Sequence, residues 1–159
     1  HTPLDATTRH LVGPELLRSL RPDAVVLNSS RGEVVDTAAL LDSGHPCVLD
    51  VWEHEPNIDR TLLDRALLAT PHIAGYSEQG KANATAMSIN ALARHFGLPL
   101  VDWYPPQVRP SEPRPISWEE LCATIDGHFD IEAQSRQLKT HPETFEALRD
   151  DYAYRKEYF

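Results

Sequence analysis

The chain has 159 residues, 41% of them hydrophobic and 25% charged, a globular composition that suits one ordinary domain or parts of two. Its net charge of -9 argues against a nucleic-acid partner, because a phosphate backbone is bound by a concentrated basic face. No apolar run approaches membrane-spanning length and no signal peptide is visible, so we expect a cytoplasmic protein with no membrane partner. We expect Cys47 and Cys122 to serve as small apolar residues in a reducing compartment, and a disulfide between them is the alternative.

A short helix and a short strand follow the turn-rich first residues. These residues, His1-Thr-Pro-Leu4, lack an initiator Met, so we expect a piece of a longer chain. Pro14 is tolerated in a first helical turn, and Arg21-Pro22-Asp23 ends the predicted helix. The apolar run from Val25 to Leu27 is too short for a helix and predicts a strand buried on both faces of a parallel sheet. The polar run Asn28-Ser-Ser-Arg-Gly32 ends this strand.

The next elements continue the alternation of helix and strand. Capping residues, glycine stops and short apolar runs set their limits. They are a helix from Thr37 to Ser43 between Asp36 and Gly44, a strand from Cys47 to Trp52, a polar turn over 53–56, a Leu-rich helix from Arg60 to Ala69, and an extended segment from Ala69 to Gly75. This order predicts an α/β fold with a doubly wound parallel sheet.

The longest helix is predicted over residues 77–96, where Ser77 is the cap and Gly97 the stop. It is rich in alanine and has the features of a structural helix that packs closely. The prolines between Asp102 and Pro115 then exclude a regular helix and favour an extended chain. We therefore expect one domain over residues 1–104 and a second part, with a proline-rich linker, over residues 105–159.

The second part of the chain has too thin a core to stand alone. A capping box at Ser117 opens a helix, a polar turn follows, and Pro142 begins a last helix. The residues predicted to face inward are Leu121, Cys122 and Ile125 in the first helix, and Phe145, Leu148 and Tyr152 in the last. About 45 residues past the proline-rich linker cannot build a comfortable core, so we expect a small α+β segment that pairs with missing sequence or with a second copy in a homodimer.

Three polar side chains follow the ends of successive extended segments. They are Arg31, Glu55 and His72. Ligands of open α/β sheets bind beyond the carboxyl ends of the strands, where the guanidinium fork of an arginine suits a substrate carboxylate. A histidine whose tautomer is fixed by a carboxylate can exchange a proton near neutral pH. Together these residues predict a site for a hydroxy or keto acid, although each alone has an ordinary structural interpretation.

Other motifs are absent or incomplete in the sequence. No HExxH motif occurs, and His54 between two glutamates lacks the helical spacing of metal ligands, so we expect no metal. Residues 75–80 do not match the G-x-S-x-G pattern of a hydrolase. Asp50 lies in an apolar strand, where a charge is costly unless it is paired or near a cleft. No G-x-G-x-x-G occurs, so any dinucleotide domain here lacks its first half.

Four motifs in order resemble the signatures of the D-isomer-specific 2-hydroxyacid dehydrogenases. They are His1-Thr-Pro-Leu4, Asn28-Ser-Ser-Arg-Gly-Glu-Val-Val-Asp36, Leu49-Asp-Val-Trp-Glu-His-Glu-Pro56 and Thr70-Pro-His-Ile-Ala-Gly75. The resemblance implies the second half of a Rossmann-type NAD domain. Within the family, residues 73–82 and 145–158 are similar to a branch that oxidises a phosphorylated 2-hydroxy acid in vitamin B6 biosynthesis and that dimerises through a C-terminal domain.

The resemblance also implies roles for individual residues. Arg31 would bind the substrate carboxylate, and His72 would be the acid/base. Glu55, rather than Glu53, would be the partner of that histidine because it directly precedes the proline. The residues that match NAD contacts are Thr2, Ser29, Ser30, Arg31, Asp50 and Gly75, and Tyr76 matches a substrate contact.

Two other functions stay open at this point. One is another D-2-hydroxyacid dehydrogenase, of the phosphoglycerate type, against which Tyr76 argues. The second is a non-catalytic fragment that senses NAD or serves only for dimerisation. The presence of Arg31, Glu55 and His72 argues against a sensor, since sensing needs no proton relay.

Overall fold

Three short parallel strands form a sheet in the order in which they occur along the chain. The computed structural model describes residues 2–112 and 114–157. β1 (Val26–Asn28) pairs with β2 (Cys47–Leu49), and β2 pairs with β3 (Leu68–Ala69). All pairings are parallel, so the carboxyl ends of the strands meet at one edge of the sheet. The residues of the sequence analysis that lie outside the described part are His1, Pro113, Tyr158 and Phe159.

Helices connect the strands and continue beyond them, which confirms the predicted α/β class with a partial parallel sheet. The helices are α1 (Pro14–Ser19), α2 (Thr37–Ser43), α3 (Arg60–Arg65), α4 (Glu78–Phe96), α5 (Trp118–His128), α6 (Ile131–Thr140) and α7 (Phe145–Asp150), with 3-10 turns at Gly32–Val34 and Pro142–Thr144. The limits of α2 and α4 match the predictions because their caps form. The Asp36 carboxylate accepts the Ala39 N–H, and the Ser77 hydroxyl accepts the Gly80 N–H.

The chain forms two compact units. One, the sheet unit, contains the residues up to Ala74 together with Asp130–Tyr152. The second, the helical unit, contains Gly75–Phe129 and the residues from Ala153 onward. The strands and the core around them belong to the sheet unit, and α4 and α5 belong to the helical unit.

The core of the sheet unit includes side chains from the end of the chain. Leu17, Leu40 and Leu63 pack in one buried cluster with Leu138 of α6 and Phe145 of α7. In addition, the Ser135 hydroxyl of α6 accepts the N–H of Ala69 at 3.0 Å. The prediction of a polar turn before Pro142 was therefore wrong. A ten-residue helix lies there, with only Ser135 and Leu138 buried.

The strands are shorter and more exposed than the sequence predicts. β1 is buried on one face only, because Val25 and Leu27 are exposed. β2 ends at Leu49 and not at Trp52, since the chain turns at Asp50. α3 ends at Arg65 rather than at Ala69, because Leu68 and Ala69 join the sheet as β3.

The two helices of the helical unit bury little apolar surface, and the prediction that Ile125 faces inward was wrong. In α4, the small residues Ala82, Ala86 and Ala93 are buried, but Leu92 and Phe96 are exposed. In α5, Leu121 and Cys122 are half-buried and Ile125 is exposed, so no residue of this helix is fully buried. The Ser117 cap is confirmed, since its hydroxyl accepts the Glu120 N–H at 3.1 Å, but the Glu120 carboxylate accepts from Arg114 and does not complete the capping box.

Truncation of Phe145 tests whether the C-terminal helices belong to the core of the sheet unit. We expect Phe145→Ala to lower the free energy of unfolding by about 3–5 kcal/mol, because it opens a cavity among buried side chains. Leu11→Ala in the same unit is the control, since that side chain is 54% exposed and its loss should change stability by less than about 1 kcal/mol. Urea unfolding measures both variants. Equal effects would contradict the packing described here.

Candidate active site

The turn after β1, residues 28–32, is shaped by one asparagine, and we call it the arginine turn. The Asn28 amide donates to the carbonyl oxygen of Arg31 at 2.9 Å, while its own oxygen accepts the N–H and the hydroxyl of Ser30. The Arg31 guanidinium donates to the Ser30 carbonyl at 2.6 Å and its side chain is exposed. Arg31 thus lies at the carboxyl end of β1, held by its backbone and open to a ligand.

A glycine brings the arginine turn against the segment that follows β2. A Cβ atom on Gly32 would lie 2.0 Å from the carbonyl carbon and oxygen of Trp52, and 2.5 Å from the Glu53 nitrogen. No side chain fits in that space, so Gly32 is needed for the close approach of the two backbones. The turn that carries Arg31 therefore touches residues 50–55, which we call the acidic segment.

The acidic segment pairs Glu55 with His72, which follows β3. His72 Nδ1 lies 2.7 Å from one carboxylate oxygen of Glu55, and the Trp52 N–H donates to the other oxygen at 2.8 Å. Both side chains are partly exposed, 27% for the imidazole and 19% for the carboxylate. Because a carboxylate accepts from Nδ1–H, the second ring nitrogen, Nε2, is the atom that can take up a proton from a ligand.

Asp50 holds the loop that carries His72. This loop, residues 70–74, is called the histidine loop. The Asp50 carboxylate accepts the Thr70 hydroxyl at 2.6 Å and the N–H groups of Ile73 and Ala74 at 2.8 and 3.1 Å. Its backbone oxygen accepts the His72 N–H at 2.7 Å. These donors explain how a charge is tolerated in an apolar environment, while the contact of Asp50 with NAD stays a prediction.

Glu53, the glutamate not chosen as the partner of His72, forms a second pair with a histidine. One of its oxygens lies 2.7 Å from His10 Nε2, and the second accepts the Thr37 N–H at 2.9 Å. Burial raises the pKa of Glu53, but the hydrogen bonds from His10 and Thr37 outweigh that effect and hold the pKa below its usual value. Sequence reasoning missed this pair, because no spacing rule connects residues 43 positions apart.

The residues predicted to contact NAD are distributed over both units. Thr2, Ser30 and Arg31 line one pocket of the sheet unit together with Pro3 and Leu4. Two hydroxyl groups, a guanidinium and an apolar wall fit a ligand that combines an aromatic ring with sugar and phosphate groups, as a dinucleotide does. Ser29 is exposed beside this pocket, and Gly75 belongs to the helical unit.

Tyr76, the predicted substrate contact, lies in a small aromatic cluster of the helical unit. The Lys81 ammonium group lies 3.9 Å from the centre of the Tyr76 ring, within the range of a cation–π contact. The Tyr154 ring meets the Tyr76 ring edge to face at 5.7 Å. The cluster places a cation next to the tyrosine that the resemblance singles out.

The described residues contain neither a cluster of metal ligands nor a membrane-spanning helix. Over 2–112 and 114–157, no group of three or more His, Cys, Asp or Glu side chains is arranged to hold a metal ion. Over the same residues, no helix combines the length and the apolar character needed to span a bilayer.

Comparison with known proteins identifies the class to which this site belongs. Residues 1–74 match the family model described as D-isomer specific 2-hydroxyacid dehydrogenase, NAD binding domain. Of the solved structures, D-lactate dehydrogenase with NAD+ from Lactobacillus jensenii is 26% identical, with a TM-score of 0.50, over 61% of this chain and 36% of that one. These matches confirm the predicted resemblance to the NAD-binding domain of this family, its fold and NAD as the cofactor.

Relatives named erythronate-4-phosphate dehydrogenase cover nearly the whole chain. The protein of Bacteroides thetaiotaomicron is 46% identical over 94% of this chain and 44% of its own length. That of Coxiella burnetii is 35% identical over 99% of this chain and 46% of its own length. The more specific resemblance is thus confirmed as homology. The chain spans less than half the length of these relatives.

The lowered pKa of Glu53 predicts how acid affects stability. A carboxyl group whose pKa is lower in the folded state stabilises the fold above its ordinary pKa, about 4.3, and loses that contribution as the pH falls through the folded value. We expect the stability advantage of wild type over Glu53→Gln to shrink as the pH falls below about 4.3. Urea unfolding at several pH values measures this difference in stability. A difference that grows as the pH falls below about 4.3 would contradict the prediction.

Proposed function

We propose that the protein to which this chain belongs acts as an erythronate-4-phosphate dehydrogenase. It would oxidise 4-phospho-D-erythronate to 3-hydroxy-2-oxo-4-phosphooxybutanoate with NAD, as a step in the biosynthesis of pyridoxal phosphate. The observation that carries the proposal is the 2.7 Å contact between His72 Nδ1 and Glu55 at the carboxyl side of the sheet. The homology to dehydrogenases of this name supports the choice of substrate.

His72 is the acid/base of the proposed reaction. The Glu55 carboxylate fixes the tautomer in which Nδ1 carries a hydrogen, so Nε2 accepts the proton of the substrate hydroxyl. The same carboxylate stabilises the imidazolium that forms, because opposite charges are then in direct contact. Since Glu55 is also bound by the Trp52 N–H, its position does not depend on the substrate.

Arg31 orients the acid end of the substrate. Its guanidinium is exposed at the end of β1, and a planar fork of donors matches a carboxylate in two parallel hydrogen bonds. The same cation would polarise the carbon–oxygen bond at C2 as the hydroxyl becomes a ketone. Lysine would keep the charge but not the fork.

Thr2, Ser29, Ser30, Arg31, Asp50 and Gly75 are proposed to hold NAD. When bound, NAD supplies the nicotinamide ring that accepts a hydride from C2. The hydroxyl proton goes to His72, so the products are a ketone, NADH and one proton. The chain's own contribution is to orient the alcohol, to take up this proton at Nε2 and to bind the carboxylate.

The organisation of the chain is part of the proposal. Residues 1–104 would carry the NAD-binding and catalytic functions, including the long helix over 77–96, and residues 105–159 the linker and the dimerisation segment. We place the protein in the cytoplasm as a homodimer. Large exposed side chains of the helical unit support a partner surface, among them Met87, Phe96 and Trp118.

Substitution of His72 tests the catalytic assignment in the full-length protein. We expect His72→Asn to lower kcat by about 10²–10⁴-fold, because asparagine cannot relay a proton. The Kd of NADH, measured by fluorescence, should stay within about twofold, since the side chain acts on the substrate. His54→Asn is a matched control, because both histidines have positive φ angles, 57° and 63°, which asparagine tolerates. Unchanged turnover in the His72 variant, or an equal loss in the control, would contradict the assignment.

A substrate panel separates the proposed function from its two alternatives. The full-length protein is assayed with NAD and 4-phospho-D-erythronate, 3-phosphoglycerate or D-lactate, and NAD binding is measured by calorimetry. We expect kcat/KM to be highest for 4-phospho-D-erythronate. A preference for 3-phosphoglycerate would indicate the phosphoglycerate type. Binding of NAD without turnover of any substrate would indicate a sensor.

Sedimentation of the full-length protein tests the homodimer. We expect one species of twice the chain mass at micromolar concentration, because the exposed apolar surface is then covered. A monomer under those conditions would rule out the assembly and leave the proposed reaction untouched.

A further inference from the structure

Glu53 is a buried charge whose donors come from separate parts of the sheet unit. Its side chain is only 8% exposed, so the carboxylate has lost most of its water. His10 Nε2, in the loop before α1, lies 2.7 Å from one oxygen. The Thr37 N–H, at the start of α2, occupies the second oxygen at 2.9 Å. A carboxylate with such partners is costly to displace, because any movement leaves a charge without donors.

The backbone beside this carboxylate touches the arginine turn. Gly32 packs against the carbonyl group of Trp52 and the nitrogen of Glu53 so closely that no side chain fits. Gly32 follows Arg31 directly, and Thr37 follows the end of the same loop. Glu53 thereby meets both ends of the segment 32–37, since its backbone packs against Gly32 and its side chain accepts the Thr37 N–H.

The same backbone holds the proposed proton relay. The Trp52 N–H donates to Glu55, whose other oxygen meets His72. A shift at residues 52 and 53 would therefore move the base as well as the arginine turn. The carboxylate of Glu53 is the group that connects these two movements.

The geometry of His10 indicates that this pair is held against a local cost. His10 has a φ angle of 54°, in the left-handed region that a residue with a side chain rarely adopts. Its N–H donates to the backbone carbonyl oxygen of Glu33 at 2.7 Å, and its Nδ1 lies 3.6 Å from the Asp36 carboxylate. A strained backbone persists where the surrounding contacts determine it, and such positions cluster at functional sites.

We propose that Glu53, held by its contact with His10, is a positioning residue. It fixes the positions of Arg31 and the Glu55–His72 pair relative to each other, so that both act on the same substrate. The inference rests on the proposed function, and it assigns a role to two residues that do not themselves touch substrate. The groups that face Glu53 are His10 and the Thr37 N–H, and the charged group next to them is Asp36.

The test uses the full-length protein, three single variants, one control variant and one double variant. Glu53→Gln keeps the shape of the side chain and removes its charge, and His10→Phe removes the donor. His10→Gln is the conservative variant, since an amide can still donate to Glu53. Glu33→Gln is the matched control, because it removes one negative charge from the neighbouring 3-10 turn, Gly32–Val34, and leaves the pair of Glu53 and His10 in place.

We expect Glu53→Gln and His10→Phe to raise the KM of the hydroxy acid and to lower kcat, each by about tenfold, because a shifted guanidinium and a shifted base act on the same substrate. His10→Gln should recover most of the loss. The double variant Glu53→Gln/His10→Phe should lose no more activity than either single variant, since the two residues act as a pair.

Amide hydrogen exchange gives a readout that does not need turnover. We expect Glu53→Gln to speed exchange in peptides over 31–37 and 52–55 and to leave β1, β2 and β3 unchanged. Unchanged kinetics per folded molecule, or faster exchange throughout the sheet unit, would overturn the positioning role and leave Glu53 as a stabilising residue. Absence of turnover in the wild type would instead refute the proposed function, and the exchange pattern would still decide the role of Glu53.

Discussion

A carboxylate that is removed from water needs hydrogen-bond donors from the protein. The six residues after β2 contain three carboxylates that have such donors. Asp50 accepts hydrogen bonds from the histidine loop, and Glu53 binds the first N–H of α2 and His10. Glu55 accepts the Trp52 N–H and binds His72. Each binds at least one backbone N–H, so each fixes a segment of chain rather than a single side chain. The candidate site is in this sense organised from the acidic segment outward.

This arrangement explains how short strands can support a precise site. β3 has only two residues, and its pairing with β2 alone would leave the histidine loop poorly fixed. Asp50 continues the connection beyond the sheet, because its side chain and its backbone oxygen bind four donors of residues 70–74. On the other side of β3, the Ser135 hydroxyl takes the Ala69 N–H. Hydrogen bonds from outside the ladder thus replace the missing length of strand.

The sequence predicts the elements whose ends carry a local signal. Asp36 and Gly44 define α2, and Ser77 and Gly97 define α4, because caps depend on residues within one turn. α6 also has such a cap, since the Asp130 carboxylate accepts the Ala133 N–H, but no periodic apolar face follows this cap in the sequence. Its inward residues, Ser135 and Leu138, are a hydroxyl and a single leucine in an otherwise polar run. The strand from Val25 also looks fully buried in the sequence, but burial depends on what packs on each face, which a run of three residues does not encode.

The candidate site likewise has some features that a local sequence signal predicts and others that depend on the folded chain. Residues that follow strand ends could be found from the sequence, since order along the chain fixes the edge of the sheet on which they lie. The residues alone could not show which glutamate meets which histidine. The family resemblance selected Glu55 for His72, and nothing in the sequence indicated the pair of Glu53 with His10. Glu53 and Glu55 flank His54, whose φ angle of 63° turns the chain between them, so the two carboxylates serve different partners. One meets His10 from the start of the chain and the other meets His72 after β3. Such a division depends on a single left-handed residue, and no periodicity predicts it.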